Sequence, residues 1–123
     1  MRFLMVALGG AAGAVARYAV TLGVGMFWKK DFPLGTFLVN ISGCFLLGLF
    51  LTMAAESTSI IGPGLRLLVA TGFVGAYTTF STFEWETQRL TSAGALGWGL
   101  MNIVSSVVVG YLAVVAGVAL MRK

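Results

Sequence analysis

The chain has 123 residues, 59% of them hydrophobic and 10% charged, with a formal net charge of +4. That composition excludes a soluble globular domain and fits an all-α integral membrane protein. Histidine is absent and Cys44 is the only cysteine, so the usual proton shuttle, a disulfide and a thiolate metal site are unavailable within one chain.

Four apolar segments predict four transmembrane helices, over 3–27, 34–54, 65–89 and 96–120, in a single transmembrane domain covering 1–123. The first has only Arg2 ahead of an apolar run of about 25 residues, longer than the core of a signal peptide, so it reads as a permanent span. Gly9-x-x-x-Gly13 within it has the small-residue spacing that lets membrane helices approach closely. Arg17 falls roughly 3 Å past its centre at about 1.5 Å rise per residue. A cation at that depth must face protein or water, where it either feeds anions into a vestibule or braces a dimer.

The joint Trp28-Lys-Lys-Asp-Phe-Pro33 leads into the second span, which carries Gly35-Thr-Phe-Leu-Val-Asn40-Ile-Ser-Gly-Cys44. Asn40 lies about 6 Å from its centre, and its amide requires a partner, either across to another helix or on a ligand. A polar joint at Glu56–Ser59 and the Gly62-Pro63-Gly64 turn follow.

The third span contains Gly72-Phe-Val-Gly-Ala-Tyr-Thr-Thr-Phe-Ser-Thr-Phe83. In hydrocarbon an unpaired backbone or hydroxyl group costs several kcal/mol, so such a stretch persists only where protein or a watery path satisfies it. Centring the span near Tyr77 puts an interruption over Gly75–Thr78 at the midplane. Phe80 and Phe83, three residues apart, share a helical face. They serve either as packing or as ring edges, the positive end of the aromatic quadrupole, on which an anion leans without being trapped. Glu84 and Glu86 flank Trp85 at headgroup depth, where either solvation or a pairing with Arg17 accounts for them. In the fourth span Ser106 lies about 3 Å from the centre. Asn40, Thr36, Ser81, Thr82 and Ser106 form a string of neutral donors with no carboxylate near the centre, which suits a small, strongly hydrated anion.

Counted by side, Arg2, Arg66, Arg122 and Lys123 oppose Lys29, Lys30 and Arg89, a nearly balanced distribution. Since Lys/Arg asymmetry sets orientation, the chain either inserts both ways and pairs with an inverted copy, or one excess charge decides. These basic residues sit at segment ends, where lipid headgroups rather than nucleic acid are the expected partner. In an antiparallel pair only residues near mid-depth meet their own copies. Carbonyls of Gly75 and Thr78, contributed twice, would make an oxygen cage for a hard cation such as Na⁺; the alternative is a glycine kink that helps packing.

Gly13-Ala-Val-Ala-Arg17-Tyr18, Gly35-Thr-Phe-Leu-Val-Asn40-Ile-Ser-Gly43 and the Gly72–Phe83 stretch together resemble the small bacterial fluoride channels called Fluc or CrcB. The resemblance covers nearly the whole chain. It implies a dual-topology homodimer of four-helix subunits in the bacterial cytoplasmic (inner) membrane, with the third helix broken at mid-membrane. It also implies two antiparallel fluoride pathways, a structural Na⁺ at the dimer centre, and passive export of toxic fluoride without catalysis. By the same resemblance Phe80 and Phe83 line the pores and Asn40 donates to fluoride. Ser81, Thr82 and Ser106 belong to a polar track with Thr36 nearby, and carbonyls of Gly75 and Thr78 hold Na⁺. Two departures stand out: Asn102 occupies a position where the family commonly has Tyr, four residues before Ser106, and Glu84 replaces a small hydroxyl residue. The rival reading is a small proton-coupled multidrug-type exporter. Such exporters depend on a Glu within the first span, where this chain has Arg17 instead. A non-transporting assembly subunit is a further alternative.

Overall fold

The computed structural model describes residues 1–56 and 61–122. Most of the polar joint at Glu56–Ser59, and Lys123, lie outside the described residues. Every regular element among those described is helical: α1 (Arg2–Phe27), α2 (Leu34–Glu56), α3 (Pro63–Arg66), a π-helical stretch (Leu67–Val74), α4 (Gly75–Tyr77), α5 (Phe80–Ser92) and α6 (Leu96–Met121). Three of them, α1, α2 and α6, are long and apolar enough to cross a membrane by length and composition. They match the expected first, second and fourth spans. The expected third span is a succession of shorter pieces.

Local chemistry explains the boundaries. Pro33 enters α2 by offering its carbonyl to the Phe37 N–H at 3.0 Å. Pro63 opens α3 at a position where its missing N–H costs nothing. Between α5 and α6 the chain reverses through Gly94, whose φ of +80° is the left-handed conformation that glycine adopts without penalty. The Gly94 and Ala95 N–H groups close that end on the carbonyls of Thr91 and Leu90, at 3.1 and 2.9 Å.

From α3 into α4 the backbone stays helical, but through Leu67–Val74 it widens to the π form, in which the Gly75 N–H reaches the carbonyl of Ala70 five residues back. This stretch lies along α1. A Cβ on Gly9 or Gly13 would strike the carbonyls of Leu68 and Phe73, so the small-residue spacing allows helix backbones to meet there. The other extensive contact runs between α2 and α6. A small apolar cluster of Phe50, Ala54 and Ile61, backed by Met53, Val69 and Ala70, closes one end of the bundle, and the Arg66 guanidinium caps the Ala54 carbonyl beside it. Long apolar faces remain exposed, with Phe3, Val15, Leu22 and Met26 on α1 and Leu100, Val104, Val107 and Tyr111 on α6. Faces of that size need lipid or another copy to cover them.

Candidate functional site

The helical run that begins at Pro63 stops at Tyr77. Thr78 (φ −81°, ψ 158°) and Thr79 (φ −151°, ψ 116°) are extended, and α5 then starts at Phe80. The sequence places the interruption over Gly75–Thr78; the structure keeps Gly75–Tyr77 helical and shifts the extended backbone to Thr78 and Thr79. The reason is the set of partners that the two threonines find. Thr79 caps α5, its hydroxyl oxygen accepting the Thr82 N–H at 3.3 Å while its hydrogen goes to Thr82 Oγ1 at 3.0 Å. The Thr78 hydroxyl donates back to the Val74 carbonyl at 3.0 Å.

Asn40 of α2 clamps this break from both sides. Its Oδ1 accepts the Thr79 N–H at 2.8 Å, and its Nδ2 donates to the Thr79 carbonyl at 3.1 Å. Of the two partners open to Asn40 the structure shows the interhelical one, and the amide has a second N–H hydrogen besides. A further tie holds the helical side of the break, where the Ser42 and Tyr77 hydroxyls lie 2.9 Å apart. Tyr77 also stacks on Phe73 with ring centroids 5.7 Å apart. Neither Thr79 nor the Ser42–Tyr77 pair was singled out from sequence. The Thr79-x-x-Thr82 spacing at a helix start was the available signal for the first.

Around the break the polar residues divide among three cavities. One of about 210 Å³ is lined by Asn40, Gly43, Thr78, Thr79 and Phe80 among others. A second, about 270 Å³, gathers Arg17, Thr21, Thr36, Thr79 and Thr82. A third, about 420 Å³, shares Thr21, Thr36 and Thr82 with the second and opens toward Lys30, Asp31 and Arg89. Two adjoining cavities that share Thr36 and Thr82 thus lie between a charged mouth and the half-buried Arg17 and the Thr79 clamp. Glu86 lines the wider of them. Solvation at headgroup depth does not describe this carboxylate, because Oε1 accepts the Thr36 hydroxyl at 2.9 Å while Oε2 is buried with no hydrogen-bond partner. With Oε2 unpartnered, the Arg17–Glu86 pairing considered from sequence is not made.

The two phenylalanines are 5.7 Å apart by ring centroid with planes inclined 41°. They occupy different surroundings: Phe83 is 7% exposed, inside the bundle, and Phe80 is 74% exposed, outside it. Ser81 is exposed on the first turn of α5. Ser106 stands apart from the three cavities and donates to Asn102 Oδ1 at 3.5 Å. Asn102 is 1% exposed and gives its amide hydrogen to Thr87 Oγ1 at 2.8 Å, so it sits between α5 and α6. Gly75 is exposed and Thr78 half-buried.

A family model described as "CrcB-like protein, Camphor Resistance (CrcB)" matches residues 4–118. Among similar proteins, the "Fluoride-specific ion channel FluC" of Acidobacterium capsulatum is 48% identical over 117 residues, covering 95% of this chain and 93% of that protein. The protein of the same name from Solibacter usitatus is 43% identical over 123 residues, the full length of both chains. That of Synechocystis sp. is 40% identical over 120 residues, covering 98% of this chain and 92% of its own.

Proposed function

This chain belongs to the CrcB family, and we propose that it is a fluoride-specific passive ion channel that exports F⁻ across the bacterial cytoplasmic membrane and so relieves fluoride toxicity. The observation that carries the reading is the Asn40–Thr79 clamp, whose spare amide N–H hydrogen lies beside Phe80 at the inner end of the adjoining threonine-lined cavities, taken together as one route. Neutral donors replace the water around a small anion and still let it leave, which a lysine at the same place would not. Asn40 keeps one N–H hydrogen for the ion, Ser81, Thr82 and Ser106 add hydroxyls, Thr36 stands nearby with its hydrogen given to Glu86, and the Phe80 and Phe83 ring edges complete the lining. Arg17 adds positive potential at the inner end of the route.

The working unit in this proposal is an antiparallel dual-topology homodimer of four-span subunits, the third span running through the two helical pieces joined at Thr78–Thr79. The exposed α1 and α6 faces and the balanced Lys/Arg count support it. A structural Na⁺ fits the break. The regular helical donor for the Gly75 carbonyl would be the Thr79 N–H, which goes to Asn40 Oδ1 instead, and the extended ψ of Thr78 turns its own carbonyl out of the helical ladder. Those two oxygens, taken from both copies, would hold a hard cation, and Na⁺ there supplies positive charge that fastens the subunits together.

Fluoride efflux from liposomes reconstituted with this protein alone is the test. Electrogenic F⁻ efflux indifferent to a pH gradient supports the channel, and silence toward fluoride rejects it. Phe80→Ile is expected to slow efflux by tenfold or more, about 1.4 kcal/mol or above in barrier, while the dimer persists on size-exclusion chromatography. An unchanged rate would remove the ring from the pathway.

A further inference from the structure

We propose that Asn102 is a positioning residue for ion selection, which acts through a one-way hydrogen-bond relay that fixes the Phe83 turn of α5 and sets the direction of the Ser106 hydroxyl. The inference rests on the reading that Phe83 and Ser106 lie on the fluoride pathway. It starts from the burial of Asn102, whose side chain shares with Val39 the deepest burial among the larger residues described. A buried amide is retained only when its donor and acceptor are both used.

The relay has one permitted direction. Thr87 donates its single hydroxyl hydrogen to the Phe83 carbonyl at 2.8 Å, so its oxygen can only accept. It therefore receives the Asn102 Nδ2–H, at 2.8 Å. That choice fixes the amide, turning Oδ1 toward Ser106, whose hydroxyl must then donate. The carbonyl held by this relay belongs to Phe83, the ring buried beside the break, so the position of that turn of α5 is set from α6.

The last link is the weak one. At 3.5 Å the Ser106–Asn102 contact is well outside the 2.5–3.0 Å range of a good O–H···O bond. The Ser106 hydrogen has an acceptor at rest but a poor one, so a strong acceptor such as F⁻ takes it at little cost. A large, weakly accepting anion such as Cl⁻ gains less from the exchange. The amide supplies what this arrangement needs, an acceptor for Ser106 and a donor for Thr87 on one short side chain.

The test compares wild type, Thr87→Val and Asn102→Leu in liposomes. Three quantities are read: F⁻-over-Cl⁻ preference from reversal potentials, half-saturating fluoride, and the fraction of vesicles that are active, which counts folded protein. Both variants are expected to lose F⁻-over-Cl⁻ preference by about tenfold, the scale of one neutral hydrogen bond, with half-saturating fluoride shifted upward. The near-isosteric Thr87→Val should keep its active fraction, and it decides the matter if Asn102→Leu does not fold. A merely structural role would lower the active fraction and leave preference and half-saturation unchanged, and that result would overturn the relay. A wild-type protein without fluoride flux would instead overturn the channel reading beneath it.

Discussion

At the scale of single residues, Asn40 carries the most consequence, because one amide both pins the Thr79 backbone and withdraws its N–H from the helical ladder. Asn40→Asp keeps an acceptor for the N–H but leaves the Thr79 carbonyl without its donor and opposite a carboxyl group. The expected cost is about 1–3 kcal/mol, visible as a lower melting temperature in detergent, together with fluoride efflux slowed by about tenfold. Efflux at the wild-type rate at neutral pH would rule out a donor role for this amide. The sequence made Asn40 conspicuous as a lone amide in a span, but its partner was not legible. A backbone group 39 residues away becomes an acceptor only once the third span comes apart beside it. Thr87 was missed for a related reason: a threonine near a span end carries no mark of a buried amide on the neighbouring helix.

At the scale of elements, the spacing of apolar residues located α1, α2 and α6 to within a residue or two, because a long unbroken hydrophobic run has few alternatives to a helix. The third segment was legible as interrupted, since Gly75 and the hydroxyl cluster announce it, but not in its details. The π form of Leu67–Val74, which packs along α1, left no mark in the composition, and the extended residues were displaced to the pair of threonines that could cap and bond. The contact of Gly9 and Gly13 with the carbonyls of Leu68 and Phe73 tests this packing. Gly13→Val puts a branched side chain where a carbonyl already lies, and destabilisation of about 2–4 kcal/mol is expected. Loss of the monodisperse peak in detergent would register it. Gly23→Ala, on the same helix at a position where an added Cβ meets nothing within 4 Å, should behave as wild type.

At the scale of the whole molecule, one copy leaves long apolar faces bare for lipid or a second copy to cover, and Gly75 is exposed on it. If Na⁺ joins two copies, the melting temperature of the dimer should rise with Na⁺ concentration. Saturation at about 100 times the dissociation constant corresponds to about 2.7 kcal/mol. Exchange into a Na⁺-free buffer with a bulky organic cation should then shift light-scattering mass toward the monomer, and a melting temperature indifferent to Na⁺ would return Gly75 to a packing role. The Thr78–Thr79 break carries one consequence more. It sets the carboxyl end of one helical stack against the amino end of the next, so the partial negative charge of the first and the partial positive charge of the second lie a few ångströms apart. A single discontinuity thereby offers attraction to ions of either sign on its two flanks, and a chain running straight through as one continuous helix would offer neither.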